Sequence, residues 1–458
     1  MTREEAIAIL KMQDLEAAIA KLLELGEKAE KYDQLVSQAA STPSGQKPPY
    51  TKENKSKGKK RKKPGRKKGH PGSRRKIPDK IDHYQDHKLD QCPHCHGGVG
   101  PGIKSHERYI EDIPPVEPEV TKHTIYKHWC PNCGDFVTAP MADAMDNANL
   151  GLRVVVLTAW LHYAVGISVR NVVKILSTVC SFPVTPGGLT QSWIRLANLL
   201  QPEYEHILEQ IRHSAALHAD ETGWRLDGVT YWLWAFCTKE YCYYTISKCR
   251  GSSVVEQVLR VLFEGILICD FWGAYNRLKA LAKQRCYFHL FTELVKVDKR
   301  STSKEWKVSR KKLSRLLRDG MHLRDNKDHL EAYLYERRKR RLYDRLERLL
   351  ELVAQGQDVI RLIKRLKRHQ DEMFTFLDYD VPAENTHAEQ QIRGPVVSRK
   401  ISQQNRSEAG AEAQAMLMSI FRTAYLQGHN PVDYVTELSK NCIKRNHTQN
   451  ETELDKAA

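Results

Sequence analysis

The chain has 458 residues, 28% of them charged, and 73 Lys and Arg against 56 Asp and Glu give a formal net charge of +17. That length leaves room for about three domains with real cores, and the basic excess points to nucleic acid as the partner, or more plainly to a basic soluble surface. No run of 18 or more apolar residues occurs, Met1 to Gln13 do not read as a signal peptide, and eleven cysteines, an odd number, do not suggest a disulfide framework. The expectation is a reducing, cytoplasmic, nucleoid-associated location with no membrane partner.

In residues 1–40, Ala8, Met12, Leu15, Ile19, Leu22 and Ala29 repeat at helical spacing, interrupted by Gly26. This predicts a coiled-coil helix that self-associates into a homo-oligomer, or a lone amphipathic helix packed on its own domain. Residues 41–80 form a linker that cannot fold alone. Between Thr51 and Lys76 it holds fourteen Lys or Arg against one acid, Glu53. Its central cluster, Lys59, Lys60, Arg61, Lys62, Lys63, Arg66, Lys67 and Lys68, is expected to meet DNA phosphates, which adds affinity without sequence information. A solvated spacer is the plainer alternative.

Residues 81–145 carry the strongest local signal. Cys92-Pro-His-Cys95 and Cys130-Pro-Asn-Cys133 are paired C-x-x-C knuckles followed by glycines. Four thiolates at that spacing suit one tetrahedral, structural Zn²⁺ with no open position. Arg108 to Ile113 and Val120 to Trp129 read as strands between them, completing a zinc ribbon that would dock DNA. Redox chemistry or free thiols are the alternative.

Residues 146–210 read as helical, over Val154 to Ala164, Ser168 to Ser177 and Thr185 to Leu200. They form either a helix-turn-helix-like DNA reader or ordinary helical packing. From 211 to 300 strands take over. The run from Ala215 ends in the adjacent acids Asp220 and Glu221, which alternation places on opposite faces. Strands follow over Val229 to Cys237 and Tyr241 to Ser247, then a helix from Ser252 to Phe263. Gly265 to Cys269 is an apolar strand ending at Asp270, with another helix and a short strand, Arg285 to Phe288, after it. The pattern predicts three antiparallel strands followed by parallel ones. Residues 301–376 form a basic helical insertion whose cationic face would grip phosphates or would simply be solvated. Residues 377–438 complete the strand-bearing domain: a helix opening at Pro382 carries Glu384 and Glu389, where Glu389 offers a carboxylate or an i,i+4 pair with Arg393. A second helix spans Ser407 to Gln427, and residues 439–458 read as a polar, disordered tail.

His218-Ala-Asp-Glu-Thr-Gly-Trp224, Cys269-Asp-Phe-Trp-Gly-Ala-Tyr275, Cys286-Tyr-Phe-His289 and Pro382-Ala-Glu-Asn-Thr-His-Ala-Glu-Gln-Gln-Ile-Arg393 occur in that order, with Arg399-Lys400 and Ser407-Glu-Ala-Gly410 after them. With these motifs the chain resembles bacterial DDE transposases of the insertion-sequence-66 family, from the N-terminal coil to about Leu438. The resemblance implies an α/β ribonuclease-H-like catalytic domain whose acidic triad falls on Asp220, Asp270 and Glu389. It implies two Mg²⁺ or Mn²⁺ ions held by those carboxylates. The implied function is recognition of terminal inverted repeats, with cleavage and strand transfer into target DNA. Arg393, Arg399 and Lys400 are implied DNA contacts, and accessory proteins of the same element are implied partners. Two positions depart from the family pattern: its Asn-Asn is Asn385-Thr386 here, and its Glu-Arg is Glu389-Gln390. Cys286 and His289 match a family C-x-x-H; two ligands alone support no second metal site, and His289 is read as close to the active site and Cys286 as core. A non-catalytic DNA-binding protein of transposase descent is the alternative, and a structure-selective nuclease is a third.

Overall fold

The computed structural model describes residues 69–70, 76–132, 134–139, 141–402 and 405–457. The expected coiled coil, the cluster Lys59 to Lys68 and Cys133 lie outside these. The described residues fall into two units that divide between Pro118 and Glu119.

In the first unit, the Cys92 amide donates to Gly97 O at 2.8 Å and the His96 amide to Cys92 O at 2.9 Å. These bonds close a tight knuckle, with an isolated antiparallel bridge between Gln91 and Gly98. His96 has a positive φ of 56° inside it. Arg108 to Ile113 is not a strand. Ile110 and Ile113 are exposed, and among the described residues no neighbouring strand supplies the hydrogen bonds that a strand needs.

The second unit opens with an antiparallel hairpin, β1 (Lys127–Cys130) and β2 (Asp135–Thr138). The strand expected from Val120 is confined to the four residues that find a partner. Four helices follow: α1 (Leu152–Tyr163), α2 (Val169–Val179), α3 (Pro186–Leu199) and α4 (Gln201–Arg212). Their starts are written in the sequence. Ser168 accepts the Asn171 amide, and Thr185 accepts the Gly188 amide at 3.1 Å with Pro186 in the first turn.

A five-stranded sheet then forms from β3 (Ala216–Leu226), β4 (Val229–Cys237), β5 (Cys242–Ser247), β6 (Leu262–Cys269) and β7 (Lys279–Arg285), in the order β5-β4-β3-β6-β7. The first three pair antiparallel, while β6 lies parallel to β3 and β7 parallel to β6. Helix α5 (Ser252–Leu259) makes the crossover. It is shorter than expected, because Leu262 already belongs to β6. Only a single 3-10 turn, Gly273–Tyr275, precedes β7. The last strand is therefore Lys279–Arg285, and Tyr287 begins a helix instead.

Alternation along β6 divides the interior. Leu267 and Cys269 join one core with Trp193, Trp234, Phe236 and Phe421. Ile266 and Ile268 join a second core with Trp306, Leu317, Phe374 and Phe376. That second core is built by α6 (Tyr287–Asp298), α7 (Lys304–Asp325), α8 (Ala332–Leu350), α9 (Gln357–Arg368) and α10 (Thr375–Asp378). The chain closes with α11 (Thr386–Ser402), α12 (Glu408–Leu426) and α13 (Pro431–Ala457). Residues 439–457, expected as a disordered tail, continue α13. Cys442 and Ile443 are buried in the first core, which supplies the apolar contact that composition conceals.

Helix α12 covers the sheet edge. Ser419 Oγ accepts the Tyr244 amide at 2.8 Å, and Thr423 Oγ1 accepts the Cys242 amide at 3.1 Å. Two outward N–H groups of β5 are thereby satisfied and closed to pairing with another strand.

Candidate active site

The register of the parallel strands builds the site. The last β3–β6 pair is His218 with Ile268, and Asp220 and Asp270 each stand two residues beyond it. Asp220 is inside β3, which runs on to Leu226 against β4, with Asn405 bridging its last residue. It does not end the strand as expected, but sits where β6 leaves off. This is the carboxyl edge of the parallel strands, where ligands of open α/β sheets collect. Asp270 follows β6 directly. Its Oδ1 accepts the Trp272 amide at 2.8 Å, which turns the chain away from the sheet.

Glu221 faces the other way, as alternation requires. Its Oε1 accepts both Nε and an Nη of Arg250, at 3.1 and 2.9 Å, and its Oε2 accepts the Tyr275 hydroxyl at 2.8 Å. The Arg250 guanidinium is itself held between the rings of Trp232 and Trp272, at 4.1 and 4.0 Å. Both oxygens of Glu221 are thus committed to packing.

Glu389 arrives on α11. That helix begins at Thr386, four residues after Pro382, so Glu389 lies in its first turn. Asn385, fully buried, fixes the approach. Its Nδ2 donates to Ala219 O at 2.8 Å, its Oδ1 accepts from His218 Nδ1 at 3.0 Å, and its amide donates to Cys286 Sγ at 3.1 Å. The helix carrying Glu389 is therefore tied to β3 at the residue before Asp220. Sequence reading noted Asn385 only as half of a family dipeptide. An Asn just ahead of a helix was the available signal.

Electrostatics record the convergence. Burial pushes the Asp220 carboxyl well above its usual range, and Glu221, Asp270 and Glu389 push it further. Glu221 is raised by burial and then by Asp270, opposed by Tyr275 and Arg250. His218 is held down to about 4 by burial and stays neutral. Among the described residues no Lys or Arg pairs with Asp220, Asp270 or Glu389. The crowding of like charge around Asp220 fits hard divalent cations held by carboxylate oxygens. The three carboxylates do not all meet at one point. Among the described residues, the group of three whose ligand atoms lie within 4.8 Å of one another is Cys286, His289 and Glu389.

Two further residues hold Asp270. The buried Arg285 donates to Asp270 O at 2.7 Å, to Asn276 Oδ1 at 3.0 Å and to Glu372 Oε2 at 2.5 Å. Neither Arg285 nor Glu372 was singled out by sequence, because nothing local links positions so far apart.

Beside Phe271 a cleft of about 450 Å³ runs between α6 and α9, lined by Arg361, Lys364, Arg365 and Arg368. Arg365 pairs with Glu293. Arg361, Lys364 and Arg368 are exposed. Of the sequence-nominated cations on α11, Arg393 and Lys400 are exposed. Arg399 is buried and lies over the Trp224 ring at 5.9 Å.

The nominated zinc ligands divide between the units. Cys92 and Cys95 belong to the first, and hydrogen bonds from the His94 and Cys95 amides lower the Cys92 thiol. Cys130 ends β1 in the second, and Gly134, with φ of 66°, donates its amide to Cys130 O at 2.9 Å.

Among the described residues, no helix is long and apolar enough to cross a membrane. No individual curated protein matches the chain. Two family models do. Residues 90–134 match the zinc-finger binding domain of transposase IS66, and residues 148–413, more than half of the chain, match the transposase IS66 family. The chain belongs to the transposase IS66 family.

Proposed function

We propose that this transposase cleaves and joins DNA at a ribonuclease-H-like site formed by Asp220, Asp270 and Glu389, with terminal inverted repeats and target DNA as substrates. The observation that carries this reading is the placement of Asp220 and Asp270 side by side past the last parallel pair, with Glu389 tied to the same strand through Asn385. Mg²⁺ or Mn²⁺, held by these three carboxylates, would supply the charge that activates an attacking oxygen and stabilises a leaving one. Two ions suit a set whose members do not meet at one point.

The chain's own groups do the rest. Asn385 sets the distance from α11 to β3, and Arg285 fixes the backbone at Asp270. Arg361, Lys364 and Arg368 line a path for phosphates leading to Phe271, next to Asp270. Arg393 and Lys400 extend the positive surface along α11, while Arg399 serves by packing on Trp224. The cysteine pairs would hold one structural Zn²⁺ in a DNA-docking module, supported by the zinc-finger match. The basic segment through Lys59 to Lys68 would add phosphate contact, and the N-terminal heptads would join copies of the chain, with accessory proteins of the element as further partners.

The test is cleavage of labelled DNA carrying the element's ends under Mg²⁺ or Mn²⁺. Asp220→Ala, Asp270→Ala and Glu389→Gln should each abolish cutting and leave DNA binding within about threefold. Cutting by any one variant removes that residue from the triad. Binding without cutting by the parent chain favours a DNA-binding protein of transposase descent.

A further inference from the structure

Cys286 caps the start of α6, and His289 stands one turn into it. Glu389 stands in the first turn of α11. Their ligand atoms all lie within 4.8 Å of one another. His289 Nδ1 and Glu389 Oε1 are 3.5 Å apart. Both atoms are shielded from solvent and neither has a hydrogen-bond partner. A hydrogen bond would draw such a pair to about 2.9 Å. Two ligands on one tetrahedral zinc, each about 2.1 Å from it, stand about 3.4 Å apart. The spacing, longer than a hydrogen bond and within the range of an ion pair, also matches two ligands of one ion. The third donor is already aimed, since Cys286 Sγ accepts the Asn385 amide at 3.1 Å, as outer hydrogen bonds orient metal ligands.

We propose that Cys286, His289 and Glu389 form a zinc site separate from the paired cysteines, with its fourth position open to water. A thiolate and an imidazole favour Zn²⁺ over Mg²⁺, which prefers oxygen donors. Glu389 is therefore shared between two chemistries, and zinc bound here withholds it from Asp220 and Asp270. That consequence rests on the reaction proposed above; the metal site does not.

The test counts zinc in the full chain after equilibration with zinc chloride and desalting. Because Cys286 is fully buried, the primary variant is His289→Ala, whose side chain is 37% exposed. His289→Ala and Glu389→Gln should each carry one zinc fewer than the parent chain. Cys92→Ser combined with His289→Ala should lose more than either alone. Equal zinc in the parent and in His289→Ala overturns the site. In the cleavage assay, micromolar Zn²⁺ should inhibit the parent at least tenfold more strongly than His289→Ala under Mg²⁺, and equal inhibition overturns the shared role of Glu389. If the parent cuts no DNA, the reaction is refuted while the zinc count still decides the site.

Discussion

Glu372→Gln isolates the anchor behind Asp270. The Arg285 side chain is wholly buried and that of Glu372 is 22% exposed, so little solvent screens the pair. Burial alone would raise the Glu372 carboxyl, but the hydrogen bond from His369 and the charge and hydrogen bond of Arg285 hold it at about 2, against an ordinary 4.5. At ~1.4 kcal/mol per tenfold change in proton affinity, that difference is worth about 3 kcal/mol of folding stability. The figure agrees with the roughly 3–5 kcal/mol lost when one partner of a buried ion pair is removed. Glutamine keeps the shape and deletes the charge, so the variant should be about 3 kcal/mol less stable at pH 7. A depressed carboxyl stabilises the fold above its unfolded value and ceases to do so as pH falls through its folded one. The gap between parent and variant should therefore be full above pH 4.5 and close progressively toward pH 2. Urea unfolding followed by tryptophan fluorescence across that range measures it. A gap under about 0.5 kcal/mol at pH 7, or one that does not change with pH, refutes the reasoning.

Asn385→Ala removes two side-chain hydrogen bonds from a fully buried residue and should cost about 2–3 kcal/mol. Cleavage should fall at least tenfold with DNA binding little changed; equal losses in both would show that Asn385 does not position Glu389. Gly265→Ala would put a Cβ 2.2 Å from Ser214 O and 2.7 Å from the Phe263 ring, where β6 shifts register. It should destabilise by about 2 kcal/mol or more, and a melting temperature matching the parent's would deny that close approach. Ser407→Ala deletes the cap that accepts the Gly410 amide at 3.2 Å and should cost about 1 kcal/mol in the same unfolding assay.

The sequence by itself determined whatever neighbouring residues decide together. Pro186 after Thr185 opened a helix, Ser407 and Gly428 bracketed another, and apolar runs set β3 and β6 with an acid attached to each. Paired cysteines and the order of the acidic motifs pointed to the family before any fold existed. Local pattern misled wherever a partner had to be known. Arg108 to Ile113 meets no strand among the described residues, Tyr287 begins a helix where a strand was expected, and the polar stretch after 438 remains helical, with Cys442 and Ile443 in the first core. Tertiary structure alone placed Asp220 level with Asp270, since strand register is a relation between segments. It alone spent Glu221 on Arg250 and Tyr275, and buried Arg285 between Asp270 and Glu372. Asn385 and Ala219 are 166 positions apart. A hydrogen bond across that separation leaves no trace in local spacing, because the chain path alone brings its ends together.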